Sequence, residues 1–261
     1  MRKNKLASFG SGAVIGALGG LIGLGGAEFR LPLLIGPFGF AALEAVILNK
    51  AISLVVVASA LPFRAGTVPL SELAAHWDII LNLLAGSLLG AWFGAGWAIR
   101  LKTETFYKVI AVLLLAIALL LLFAHNPANS SLPPLSGMAQ VVAGIVAGFG
   151  IGVVASLLGV AGGELLIPTL VLLFGADIKL AGSLSLAVSL PTMLTGFARY
   201  STDRSFAVLG RNRDFVLAMA AGSLFGAFLG GQLLGMIPAA VLLPLLAVIL
   251  VISAIKVWRH G

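Results

Sequence analysis

Two segments decide the reading of this chain. The first is Gly23-Leu24-Gly25-Gly26-Ala27-Glu28-Phe29-Arg30-Leu31-Pro32, and the second, 136 positions later, is Gly159-Val160-Ala161-Gly162-Gly163-Glu164-Leu165-Leu166-Ile167-Pro168. Each places a glutamate after glycines in a mostly apolar stretch. A carboxylate at membrane depth is costly unless it faces a cavity or a partner. A chain that puts one at the same point of both halves points to a transport site on an internal symmetry element.

Working outward, the composition is that of a membrane protein. Of the 261 residues 60% are hydrophobic and 10% charged, where a soluble domain carries about 25% charged. Mean hydropathy is +1.14. The reading is an all-α polytopic membrane protein, with the lipid bilayer as its surroundings. The chain has no cysteine, which excludes disulfides, thiol chemistry and thiolate metal sites. Met1-Arg2-Lys3-Asn4-Lys5 ahead of an apolar run resembles a signal peptide. We read it instead as the start of the first repeat, which cleavage would destroy.

The 136-residue register runs on without a gap. Gly16 matches Gly152, Pro32 matches Pro168 and Phe38-Gly39 matches Phe174-Gly175. Ser53-Leu54 matches Ser189-Leu190, Asp78 matches Asp214, and Ala85-Gly86-Ser87-Leu88 matches Ala221-Gly222-Ser223-Leu224. Apolar residues match by chance; Gly, Pro, Glu, Asp and Ser in fixed register do not. Residues 1–124 and 139–261 are therefore read as two internal repeats, joined by a polar, Pro-rich linker at 125–138.

Each repeat offers three apolar stretches of about 20 residues, the length that crosses a bilayer core. They are 43–63, 79–99 and 105–124, then 179–199, 215–235 and 238–258. The first unit of each repeat, 6–38 and 139–174, is broken by glycines and a proline. It reads as a span plus a re-entrant piece, or as a hairpin of two half-helices. Charge placement favours the return, since Lys and Arg collect on the cytoplasmic side. With a returning unit the repeats are inverted, and Arg2, Lys3, Lys5, Arg100, Lys102, Lys108, Arg199, Arg204, Arg211, Arg213, Lys256 and Arg259 fall inside, Arg64 and Lys179 outside, and Arg30 and Lys50 at membrane depth. Eight full transmembrane helices in parallel repeats are the alternative. Both place the N- and C-termini in the cytoplasm, and in a bacterium the inner membrane is the site.

Glycines recur every fourth residue at Gly86/Gly90/Gly94, Gly222/Gly226/Gly230 and Gly12/Gly16/Gly20. Such faces let helices approach closely in lipid. They are read as packing faces, with Ser87 on one of them, and one is also a candidate homodimer contact. A polar stripe runs along the same helix of both repeats: Asn49 and Ser53 at i and i+4, matched by Ser185 and Ser189 and extended by Thr192. Either these groups line a pathway, or they bond their own i−4 carbonyls and only bend the helix.

The glycine breaks at Gly26 and at Gly162-Gly163 start half-helices, whose N-termini favour an anion. Lys50 and Arg30 add positive charge nearby, although Lys50 also suits a snorkelling role. Glu28 and Glu164 read as proton-coupling or gating groups, or as caps of the half-helices. The candidate substrate site is therefore Gly26, Asn49, Lys50, Ser53, Gly162, Gly163, Ser185, Ser189 and Thr192. Arg199 and Tyr200 at a span end read as an interfacial anchor. No catalytic or metal set is read, because His76, His125 and His260 lie in loops or at the terminus. No Walker loop, nucleic-acid partner or cofactor is read either.

The repeated glycine-rich element ending in proline, from Gly19 to Glu28 with Pro32 and from Gly159 to Glu164 with Pro168, resembles the sulfite exporter TauE/SafE family of membrane transporters. One departure is Ala27, where a third glycine like Gly163 is expected. The resemblance implies secondary, proton-linked export of a small anion such as sulfite, a sulfonate or another sulfur-containing organic anion. A non-transporting membrane subunit, packed against a partner through its glycine faces, is the reading from another class.

Overall fold

The computed structural model describes residues 4–22, 26–64, 69–123, 135–232 and 239–259. Most of the linker at 125–138 and the segment Gly23–Gly25 lie outside the described residues. The described chain is all helix: α1 Lys5–Ile22, α2 Ala27–Ile35, α3 Ala42–Arg64, α4 Leu70–Ala75, α5 Trp77–Arg100, α6 Thr103–Phe123, α7 Gly137–Leu158, α8 Gly163–Phe174, α9 Ile178–Tyr200, α10 Val208–Arg211, α11 Arg213–Gln232 and α12 Ala239–Trp258. Among the described residues five helices are long and apolar enough to cross a membrane: α3, α5, α7, α9 and α11. Long exposed apolar side chains such as Leu89, Trp92, Phe93, Leu217 and Phe228 cover their outer faces, as a lipid solvent requires.

The broken units take one form. A long helix is followed by a glycine in the left-handed region and then a short helix. Gly26 has φ 71° and Gly162 has φ 82°, a conformation that side chains with a Cβ resist. At about 1.5 Å per residue, α2 spans about 14 Å and α8 about 18 Å, short of the roughly 30 Å apolar core. The Gln140 side chain donates to the Leu173 carbonyl at 2.7 Å, so the end of α8 lies beside the start of α7. In the first unit, Lys5 pairs with Asp214 at 2.9 Å and Glu44 with Arg211 at 2.9 Å. Entry to α1 and entry to α3 are thus tied to one turn, at 211–214.

Helix pairing follows the glycines. α1 packs on α11, and α7 packs on α5; α6 packs on α12, and α3 on α9. A Cβ on Gly86 would strike the Ile145 backbone, and one on Gly222 would strike that of Phe9. Gly90 meets Phe149 as Gly226 meets Ala13, and Gly94 meets Val153 as Gly230 meets Ala17. From the other side, Gly12 and Gly16 rest on Met219 and Ser223, and Gly148 and Gly152 on Leu83 and Ser87. The glycine faces read as packing surfaces, and as candidate contacts with a partner or second copy, are therefore covered by helices of the same chain.

These contacts predict opposite outcomes for one chemical change. Gly→Ala in an open helix position stabilises by about 0.5–1 kcal/mol, whereas overpacking costs about 1–3 kcal/mol. Gly226→Ala and Gly90→Ala are expected to lower the Tm of the purified protein. Gly150→Ala, where nothing lies within 4 Å, is expected to leave it unchanged or raise it.

Candidate functional site

α2 carries Glu28 and Arg30 into the middle of the bundle, and the whole helix apart from Leu33 is buried. The Arg30 side chain is shut off from solvent. A guanidinium offers five N–H donors and accepts nothing, so its burial requires acceptors. Arg30 Nη1 donates to Asn49 Oδ1 at 3.2 Å and to Ser53 Oγ at 3.0 Å, and Nη2 donates to Ser223 Oγ at 3.3 Å. These acceptors come from α3 and α11. Asn49 in turn donates to the Ala27 carbonyl at 3.0 Å and the Leu158 carbonyl at 3.1 Å. One amide thereby ties α3 to both glycine-broken units.

The second half builds the matching place without a cation, because the position of Arg30 is occupied there by Leu166. Ser189 Oγ donates to the Ala161 carbonyl at 2.8 Å. Thr192 reaches the Val188 carbonyl of its own helix at 2.8 Å, and its hydroxyl meets that of Ser87 at 2.7 Å. Among the described residues Ser185 bonds the Gly182 carbonyl, three residues back. The local-bonding reading thus holds for Ser185 and in part for Thr192, while Asn49, Ser53 and Ser189 join separate elements.

Glu28 and Glu164 are both buried. Each carboxyl lies against its own residue's backbone at the first turn of its short helix, and the two lie against each other. Glu28 Oε1 and both Glu164 oxygens find no hydrogen-bond donor among the described residues. Gly26, Gly162 and Gly163 form the turns that start the two half-helices, and Glu28 and Glu164 stand in their first turns. Arg30 is close enough to Glu28 to attract it.

Lys50 follows Asn49 on α3 but leaves the helix in another direction, toward α7 and α9. It is fully buried, and its Nζ has no hydrogen-bond partner among the described residues. It therefore does not snorkel. Arg199 stacks over the Trp92 ring at 5.1 Å, as suits a span end. Tyr200 departs from the anchor reading, because it is fully buried and donates to the Ser156 carbonyl at 2.8 Å. Two residues of the cluster were missed in the sequence. Ser223 and Ser87 occupy matched positions beside the packing glycines, and that context hid them; their matched hydroxyls in register were the available signal. Among the described residues no group of three or more metal-ligating side chains is brought together.

No curated protein and no solved structure matches the chain. The family described as sulfite exporter TauE/SafE matches residues 8–257, which takes in both glycine-broken units, the buried Arg30 cluster and the carboxyl pair; the chain belongs to that family of membrane transporters.

Proposed function

We propose that the protein is a proton-linked secondary transporter that exports a small sulfur-containing anion, and that its two halves are inverted repeats sharing one central site. The observation that carries this reading is Lys50, which is fully buried with no hydrogen-bond partner for its Nζ among the described residues, in a centre that also buries Arg30. Charge buried without a counter-ion is costly, and a passing anion relieves that cost. The substrate sits between α3 and α9 near Asn49, Lys50, Ser53, Ser185, Ser189 and Thr192, against the turns at Gly26 and Gly162-Gly163. The rival reading, a subunit held to a partner through its glycines, loses support because those faces already pack inside the chain.

Inversion is supported by how the ends of each unit are tied. Residues 5 and 44 bracket the first unit and meet the 211–214 turn; α7 and α8 bracket the second and meet each other. Tyr107 lies against Ala42 and Glu44, bringing the basic 100–108 loop to the same end as Arg211 and Arg213. By the positive-inside rule that end is cytoplasmic, with both termini, and the 125–138 linker lies outside. In this cysteine-free chain, Ser136→Cys is expected to react with an impermeant thiol reagent from outside, and Ser201→Cys only from inside. Labelling of both from one side would remove the inverted arrangement.

Proton coupling is assigned to Glu28 and Glu164. Two adjacent carboxylates repel, and one proton between them removes the repulsion. A bound anion favours that proton, so proton and anion binding reinforce each other, as linkage requires. In proteoliposomes, the wild type is expected to move sulfite or a related anion in response to an imposed proton gradient. Glu28→Gln and Glu164→Gln are expected to keep anion binding but lose gradient-driven movement and the pH dependence of binding. Full proton-driven flux in the double variant would reduce the pair to helix caps.

A further inference from the structure

The donors of the polar stripe are largely committed to the protein itself. Both Asn49 N–H groups reach backbone carbonyls, the Ser189 hydroxyl reaches Ala161, and Arg30 gives three hydrogen bonds to side-chain oxygens. Lys50 stands apart. Its ammonium carries three donors, and none is used within the described residues. Among the described residues no carboxylate acts on it. Its tip lies at Gly196 of α9, beside Ser156 of α7. A Cβ on Gly196 would stand 2.9 Å from Lys50 Nζ and 2.8 Å from Ser156 Oγ. The missing side chain at 196 is therefore what lets the lysine tip and the serine hydroxyl pack together against the bare backbone of α9. Ser156 Oγ donates to the Ala91 carbonyl at 3.0 Å, and it can turn that proton toward an oxyanion. Tyr200, bonded to the Ser156 carbonyl, pins α9 to α7 at this level.

We propose that Lys50 Nζ, with the Ser156 hydroxyl beside it, is the anchoring site for one oxygen of the transported oxyanion, and that Arg30 is a positioning residue that orders the stripe. The proposal rests on the anion-transporter reading and narrows it to one cation. The bound oxyanion gives the ammonium the partner it lacks, and Gly196, by carrying no side chain, lets the lysine tip reach this place beside Ser156.

The test is the Tm of the full-length protein in detergent, with and without sulfite. Wild type is expected to show a sulfite-dependent rise. Lys50→Met is expected to lose the rise with no fall in the unliganded Tm, because replacing an unpaired buried charge by an apolar chain of similar size costs no stability. Gly196→Ala, which pushes the flexible lysine tip aside, is expected to weaken the sulfite response. Persistence of the full response in Lys50→Met, or a lowered unliganded Tm in that variant, overturns the site and leaves the transporter reading intact. Absence of both a response and any flux in the wild type, across sulfite, sulfonates and small carboxylates, overturns the transporter reading and the site with it.

Discussion

Burying a guanidinium is the constraint on which the centre of this protein depends. Arg30 has no exit to water, so acceptors must be brought to it. Asn49 and Ser53 come from one helix and Ser223 from another, and Asn49 extends the network to Ala27 and Leu158. Removing one member strands buried polar groups elsewhere, each at a cost of about 1–3 kcal/mol. The network fixes the relative positions of α2, α3, α7 and α11, and with them the position of Glu28.

Glycine makes that network reachable. Side chains as short as serine bridge helices only when the backbones nearly touch. The close seams of α1 with α11 and of α5 with α7 bring Ser223 and Ser87 inward at matched places. Packing and polar chemistry are thus one design here, since the serine sits next to the glycine that admits it. The two halves are alike in their seams and unlike at their centre. Arg30 has Leu166 as its mate and Lys50 has Leu186, so the positive charge at the centre comes from the first half alone.

Much of this was legible in the sequence. Membrane residence, helical class and family followed from composition, span length and the glycine–proline element. That Asn49 and Ser53 share a face, as Ser185 and Ser189 do, followed from helical spacing, because i and i+4 share a face in any helix. Three things were out of reach. Spacing says nothing about which helix a face meets, so the Ser87–Thr192 contact was hidden. It does not tell a buried lysine from a snorkelling one, because both sit near a span end. Nor does it reveal that the residue facing Lys50 is a glycine 146 positions later.

The crossed seams carry a consequence for synthesis. α1 is made long before α11, yet its glycine face closes on that helix. Contacts so distant in sequence form late. Until then the nascent chain holds a groove of bare backbone and a carboxyl without its mate in the membrane. The first half is thus an incomplete object, dependent on lipid or on insertion factors for cover.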